Sequence, residues 1–230
     1  MGEKRYPPGY GPVAPVADYR PWDVDTAFSA VFEQVSEYTK LDLFRAYALW
    51  RYAEQSAKLP GDILEVGVWR GGSAALMAAA LREFGISDKR VVLADTFRGV
   101  VKAGPRDDYY KGGEHADTSE TIVRELFTRL DLDGYDLLVG VFPDETAGLL
   151  SADRRFAICH VDVDVYQSAR DVADWVWPRL PVGGLLVYDD YGFYGCEGVT
   201  ALGNEEFRAA DRIVTHNLNG QLVAVKLPSG

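Results

Sequence analysis

Residues 63–73 read ILEVGVWRGGS, an apolar run that passes through glycines into a segment rich in alanine and leucine. A buried strand leading through such a turn into a helix is typical of a parallel sheet that is covered on both faces. The turn differs from the GxGxxG of dinucleotide-binding proteins, because Trp69 stands at the second glycine position. The stretch therefore predicts an α/β fold with a ligand at the end of its first strand. A tight turn without a ligand is the alternative.

Strands and helices alternate along the rest of the chain. The expected helices are 26–38, 41–57, 72–84, 117–130, 167–177 and a segment within 198–210. The expected strands are 63–68, 91–96, 137–142, 156–163, 185–188, 212–215 and 221–227. The last two flank Asn219-Gly220, a strong hairpin signal. The pattern predicts a doubly wound, mostly parallel, seven-stranded Rossmann-like sheet with a C-terminal antiparallel hairpin and N-terminal helices, which resembles the plan of class I methyltransferases.

Three of the expected helices carry more detailed predictions. Asp117 with Glu120 resembles a capping box at the start of the fourth helix. In the second helix, Leu41, Phe44, Ala48 and Tyr52 are expected on one face. The expected inward face of the fifth helix consists of Ala169, Val172, Ala173 and Val176.

The length of 230 residues suits one large α/β domain, which we expect at residues 26–230. The preceding residues 1–25 begin with a segment rich in proline and glycine that lacks the apolar region of a signal peptide. We interpret this segment as a flexible arm or lid, with a disordered tail as the alternative.

Charge and cysteine content narrow the class of protein. The chain has 24 Lys and Arg against 35 Asp and Glu, a formal charge of −11, which argues against nucleic acid or an anionic membrane as a partner. No apolar run approaches the length of a membrane span. Because Cys159 and Cys196 form no CxxC motif, we expect reduced cysteines and a cytoplasmic location.

Two acidic clusters follow neighbouring strands of the predicted sheet. Asp162 and Asp164 project to the same side of one strand end, and Asp189-Asp190 ends the next strand. A right-handed crossover can bring the two ends side by side, where ligands of open α/β sheets bind. Oxygen ligands without His or Cys favour Mg²⁺, with Mn²⁺ or Ca²⁺ possible. We assign Asp162, Asp189 and Asp190 to the metal and Asp164 to proton removal. Capping of helices or turns is the alternative.

Two further acids indicate a cofactor. Glu65 opens the glycine turn and suits a ligand with an ammonium group, such as the amino-acid end of S-adenosylmethionine. Asp95 ends the second strand, where it can accept hydrogen bonds from ribose hydroxyls. Nicotinamide cofactors also carry ribose, so Asp95 does not distinguish S-adenosylmethionine from a nicotinamide cofactor.

Five motifs together resemble the macrocin O-methyltransferase (TylF-type) family. They are EVGVWRGGS at 65–73, DTFRG at 95–99, GVFPDET at 140–146, DVDVYQS at 162–168 and GGLLVYDDY at 183–191. The resemblance implies S-adenosylmethionine and Mg²⁺ as cofactors and methylation of sugar hydroxyls. It also implies metal ligation by Asp162, Asp189 and Asp190, a general base at Asp164, a ribose contact at Asp95, and cofactor contacts at Gly67, Ser73, Phe142 and Thr39.

The sequence thus predicts a metal-dependent O-methyltransferase that acts on a hydroxyl of a sugar or glycosylated natural product. The N-terminal arm and early helices are candidates for homo-oligomer contacts. A nicotinamide-dependent oxidoreductase is one alternative, although no convincing YxxxK motif is present. A non-catalytic binding protein that keeps the fold is another, and a metal-dependent hydrolase is a third that leaves the glycine turn unexplained.

Overall fold

A computed structural model of the protein describes residues 6–14 and 16–228. The α-helices in this part of the chain are α1 (Thr26–Val35), α2 (Leu43–Gln55), α3 (Gly72–Glu83), α4 (Glu120–Arg129), α5 (Tyr166–Val176) and α6 (Glu197–Glu206). The strands are β1 (Asp62–Val66), β2 (Val91–Asp95), β3 (Tyr135–Val139), β4 (Phe156–Val161), β5 (Leu185–Tyr188), β6 (Arg212–His216) and β7 (Leu222–Lys226). Short 3-10 helices lie at Pro21–Asp23, Ser36–Tyr38, Ser56–Lys58, Ala147–Leu149 and Trp177–Arg179.

The seven strands of the described residues form one sheet in the order β3-β2-β1-β4-β5-β7-β6. Strands β1 to β5 pair in parallel, whereas β7 runs antiparallel to both β5 and β6. The predicted parallel sheet and closing hairpin are therefore confirmed. Strand β3 lies two to three residues earlier than the predicted 137–142.

Alternation along the central strands builds a core on each face of the sheet. Ile63 of β1 packs into a cluster with α1 to α4, and its neighbour Leu64 packs into a second cluster with α5 and α6. The predicted inward face of α5 is buried as expected. Helices cover both faces, so the strands can be apolar throughout.

The buried face of α2 is not the face that carries Phe44. Phe44 is 40% exposed, whereas Arg45 is buried. The buried side chains of α2 are Arg45, Ala46, Leu49, Trp50 and Ala53. The buried face of α2 therefore includes a charged side chain that the apolar pattern of the sequence does not indicate.

The predicted capping box of α4 is also wrong. Ser119 is the N-cap, and its hydroxyl accepts a hydrogen bond from the Ile122 amide at 3.2 Å. Asp117 instead pairs with Arg70 at 2.8 Å and accepts a hydrogen bond from the Trp69 indole at 3.0 Å. The acid therefore fastens the turn after β1 instead of starting the helix.

The order in which strands are added to the sheet reverses between β1 and β4, which are neighbouring parallel strands. At this crossing Gly67 has φ +89°, and a Cβ there would lie 1.6 Å from the Asp162 carbonyl oxygen. Only glycine fits so close an approach in this backbone conformation. The topology thus brings the glycine turn against the acidic segment after β4, at the position where ligands of such sheets bind.

Candidate active site

A cavity of about 730 Å³ opens at the carboxyl ends of β1, β2, β4 and β5. Nine of the ten site residues predicted from the sequence line it: Thr39, Gly67, Ser73, Asp95, Phe142, Asp162, Asp164, Asp189 and Asp190. His115 of the long loop after β2 lines it as well. The remaining predicted residue, Glu65, is fully buried and does not reach the cavity wall.

Asp95 organises the glycine turn. Its Oδ2 accepts hydrogen bonds from the amides of Val68 at 2.7 Å and Trp69 at 2.8 Å, and its Oδ1 accepts one from the Phe97 amide at 2.7 Å. These bonds hold the turn between β1 and α3 at the cavity wall. The carboxylate that we predict to bind ribose therefore also fixes the backbone around it.

Glu65 takes part in a buried chain of charged groups behind the turn. Its Oε1 lies 2.8 Å from Nδ1 of His160, whose Nε2 lies 3.6 Å from Oδ1 of Asp189. Burial alone would lower the pKa of His160, but the adjoining Asp189 and Glu65 raise it to about 10. The imidazole thus lies between the two acids, with Nδ1 within hydrogen-bond distance of Glu65 and Nε2 farther from Asp189.

Asp189 is held by hydrogen bonds from two neighbouring side chains. Arg45 from α2 donates to its Oδ2, and Gln221 donates to its Oδ1 at 3.0 Å. Burial disfavours ionisation, but His160 and Arg45 outweigh it and lower the pKa of Asp189. This carboxylate is therefore anionic and held in one orientation.

Asp162 and Asp190 lack comparable compensation. Burial, followed by the charges of the neighbouring acids, raises the pKa of each well above its ordinary value. Oδ2 of Asp190 is shielded from solvent and has no hydrogen-bond partner among the described residues. A divalent cation would relieve both the repulsion and the missing contact, so this set of oxygen donors fits Mg²⁺ or a similar ion.

Asp164 lies beside Tyr110, and both residues line the cavity. Burial raises the pKa of Asp164, while a hydrogen bond from Tyr110 opposes that shift. The Tyr110 hydroxyl also lies 3.3 Å from Nε2 of His115. Both Asp164 and Asp190 have left-handed backbone, with φ +64° and +65°. Strained conformations of this kind concentrate at functional sites.

Aromatic residues form the outer part of the cavity. Tyr109, Phe193 and Tyr194 line it. The rings of Tyr6 and Tyr10 contact Tyr194 at centroid distances of 5.9 and 5.8 Å. The predicted arm thus reaches the cavity mouth, although residues 1–5 and 15 of it lie outside the described part of the chain. Its motion as a lid stays a prediction.

Sequence reasoning missed several residues of the site. Arg45, Gln221 and Cys196 all line the cavity or bond to its acids, and none was assigned a role. A signal existed for Glu65 and His160. Each stands within an apolar run, ILEV at 63–66 and FAICHV at 156–161. The structure places the two residues at the same register level of β1 and β4.

The sheet order, the antiparallel closing hairpin and the cavity at the carboxyl strand ends define the class I methyltransferase fold. Residues 47–223 match the family model described as macrocin-O-methyltransferase (TylF). The chain belongs to this family, as its motifs predict.

Curated relatives agree with this assignment. Demethyldecarbamoylnovobiocin O-methyltransferase of Streptomyces niveus is 33% identical over 174 residues, covering 70% of this chain and 65% of the relative. The 8-demethyl-8-(2,3-dimethoxy-alpha-L-rhamnosyl)-tetracenomycin-C 4'-O-methyltransferase of Streptomyces olivaceus is 36% identical over 147 residues, covering 60% and 56%. The matches thus span less than two thirds of these relatives' lengths.

A solved structure supports the fold. The O-methyltransferase NovP superposes with a TM-score of 0.69 at 28% identity, covering 83% of each chain. None of the helices formed by the described residues has the length and apolar character that a bilayer crossing requires.

Proposed function

We propose that the protein transfers a methyl group from S-adenosylmethionine to a hydroxyl of a sugar or glycosylated natural product. The observation that carries this proposal is a single cavity in which a glycine turn and four carboxylates meet at neighbouring strand ends. Membership of the macrocin-O-methyltransferase family supports the reaction class. The names of the curated relatives, one of which specifies a rhamnosyl tetracenomycin, support a glycosylated acceptor.

For the cofactor, we assign the wall formed by the glycine turn. Gly67 and Ser73 lie where backbone amides at the start of α3 can approach a ligand closely. Asp95 is assigned to the ribose hydroxyls, and Thr39 and Phe142 to further contacts. Glu65 is assigned only an indirect part, because its carboxylate is bonded to His160 behind the wall.

For the metal, we assign Asp162, Asp189 and Asp190, with Mg²⁺ as the first candidate and Mn²⁺ or Ca²⁺ as others. When bound, such an ion would orient the acceptor and lower the pKa of its hydroxyl. Arg45 and Gln221 hold Asp189 in place. The charge of Asp162 raises the pKa of Asp190, and a divalent ion would offset that repulsion. Asp189 is therefore already oriented, and the charge of a divalent ion would favour the ionised forms of Asp162 and Asp190.

For the base, we assign Asp164. With donor and acceptor bound, its carboxylate would take the proton of the acceptor hydroxyl as that oxygen accepts the methyl group. Burial raises the pKa of Asp164, which makes it a stronger base than an exposed aspartate. The neighbouring Tyr110 hydroxyl, which opposes that rise in pKa, is assigned to orienting the carboxylate.

The test is calorimetric titration with S-adenosylhomocysteine and, separately, with NADH, followed by transfer of labelled methyl to a panel of glycosides. We expect binding of S-adenosylhomocysteine, and Mg²⁺-dependent labelling of at least one glycoside. Binding of NADH without S-adenosylhomocysteine would favour the oxidoreductase. Cytoplasmic location and homo-oligomer formation stay predictions from the sequence.

A further inference from the structure

Asp107 is a buried acid that the reaction proposed above does not use. It belongs to the long loop after β2, is 3% exposed, and is absent from the cavity wall that the described residues form. Tyr109 and Tyr110, which follow it closely, do line the cavity. Oδ2 of Asp107 accepts a hydrogen bond from the Gly104 amide at 2.9 Å, and the Asp107 amide donates to the Gly104 carbonyl at 3.0 Å. These bonds close a turn directly before the tyrosines.

The other carboxylate oxygen of Asp107 caps helix α5 from outside the helix. An α-helix begins with amides that lack partners within the helix, and a side-chain oxygen commonly accepts from one of them. Val165, the N-cap of α5, makes no such side-chain bond. Instead, Oδ1 of Asp107 accepts a hydrogen bond from the Tyr166 amide at 2.9 Å. The loop thus supplies a cap that the local sequence of α5 lacks.

The start of α6 leaves room for this carboxylate. A Cβ at Gly198, in the first turn of α6, would lie 2.0 Å from Oδ1 of Asp107 and 2.9 Å from the Tyr166 amide nitrogen. Any residue other than glycine would therefore disturb the bond between Asp107 and α5. The carboxylate is held between the first turns of two helices, where its burial requires the polar contacts that it makes.

Both ends of this contact lead to Asp164, the proposed base. Asp164 lies two residues before Tyr166 and has left-handed backbone, with φ +64°. Strained backbone of this kind persists where the surrounding structure holds it. On the other side, Tyr110 lies three residues after Asp107 and is the neighbour of the Asp164 carboxylate. Asp107 is therefore connected through short stretches of backbone to both Tyr110 and Asp164.

We propose that Asp107 is a positioning residue that fixes Tyr110 against Asp164 for methyl transfer, an inference that rests on the function proposed above. Asp107 acts through the loop and through the first turn of α5, and it touches neither donor nor acceptor. Its loss lets the loop and the helix start move apart. A displacement of about 1 Å in a reacting group can cost about 10²-fold in rate. Cofactor binding is unaffected, because the glycine turn that we assign to it lies on other elements.

The test compares Asp107→Ala and Asp107→Asn with the matched control Asp25→Ala. Asp25 caps α1 by accepting a hydrogen bond from the Phe28 amide at 3.0 Å, so its loss removes a comparable cap outside the cavity wall that the described residues form. For the glycoside that the wild type labels best, we expect kcat of Asp107→Ala to fall about 10²-fold. Asp107→Asn should lose about tenfold, because its one carbonyl oxygen cannot accept from both amides. Asp25→Ala should keep wild-type kcat, and calorimetry should show unchanged binding of S-adenosylhomocysteine in all three variants.

A second measurement determines whether Asp107 acts through Tyr110. Tyr110→Phe removes the hydroxyl beside Asp164, and a double variant combines it with Asp107→Asn. We expect the fold-loss of kcat in the double variant to be at least about threefold smaller than the product of the two single losses, because residues that act as a unit are not additive. A loss equal to that product would overturn the proposal. Wild-type kcat in Asp107→Asn, an equal fall in Asp25→Ala, or a matching loss of S-adenosylhomocysteine affinity would also overturn it.

Hydrogen–deuterium exchange separates the structural link from the reaction. Asp107→Ala should speed amide exchange both in the loop at 104–112 and in the start of α5 at 165–169, whereas Asp25→Ala should change neither. Unchanged exchange in Asp107→Ala would overturn the link, and Asp107→Asn carries every comparison if the alanine variant does not fold. Absence of methyl transfer by the wild type, together with faster exchange in the Asp107 variants, would reject the proposed function and leave the contact between loop and helix standing.

Discussion

Arg45 and Asp189 form an ion pair that connects helix α2 to the end of β5, with side chains only 8% and 1% exposed. Arg45 also donates to Asp42 at 2.8 Å and to the Lys40 carbonyl at 3.1 Å, and its guanidinium stacks over Phe193. One side chain thus connects helix α2, the acidic residues at the strand ends and the aromatic residues that line the cavity.

Arg45→Met should lower the free energy of unfolding by about 3 kcal/mol, because it leaves a buried carboxylate without its main cation. Urea unfolding monitored by circular dichroism measures the change. Arg51→Met is the matched control on the same helix, since Arg51 pairs with Glu54 at the surface and is 45% exposed. The control should lose no more than about 0.5 kcal/mol. Equal losses in the two variants would mean that the buried pair has no special role.

Asp164→Asn should reduce the turnover rate by about 10²- to 10⁴-fold, because the amide cannot accept the acceptor proton. Asparagine tolerates the left-handed backbone of this position, so the fold should persist. Binding of S-adenosylhomocysteine, measured by calorimetry, should be unchanged. Asp174→Asn, at an exposed position of α5, serves as control. Wild-type turnover in Asp164→Asn would remove this residue from the mechanism.

The acidic rim was predictable because carboxyl ends of adjacent parallel strands must meet at one edge. The side chains that bond to these acidic residues were not predictable. The role of Arg45 was not predictable, because Arg45 and Phe44 are adjacent in α2 and a small change in helix rotation decides which one is buried. Hydrophobicity alone favours burial of the aromatic side chain. The sequence indicates where charges gather but not which neighbouring element supplies the counter-charge.

The contacts of Glu65 were also not predictable from the sequence. Its position at the end of an apolar strand suggested a ligand contact, yet strand alternation turns it inward. There it meets His160 across the β1–β4 pair. Register between non-consecutive strands decides such contacts, and a single sequence does not specify register across a crossover.

Asp190→Asn should leave the cation-free protein at least as stable as the wild type, because it removes one charge from a group of repelling acids. Mg²⁺ should then stabilise the wild type but not the variant. At a concentration about 100 times the dissociation constant, the gain for the wild type is about 2.7 kcal/mol. Urea unfolding in EDTA and in Mg²⁺ gives both values. A Mg²⁺-dependent gain that survives in Asp190→Asn would exclude this carboxylate as a ligand.

Asp136 should make a pH-dependent contribution to stability at the end of the sheet opposite the cavity. Hydrogen bonds from Arg90 chiefly, against opposing burial, lower the pKa of Asp136, and Arg154 adds to the effect at 3.0 Å. A carboxylate whose pKa is lowered in the folded state stabilises the fold at pH values above its unfolded-state pKa of about 3.9. This contribution disappears as the pH falls through the lower folded-state pKa.

Asp136→Asn should therefore be less stable than the wild type at about pH 6, by no more than about 1 kcal/mol because solvent screens this half-buried group. The gap should close by about pH 2. Urea midpoints of the two proteins across that range measure it, and a gap that persists or widens in acid would contradict the assignment.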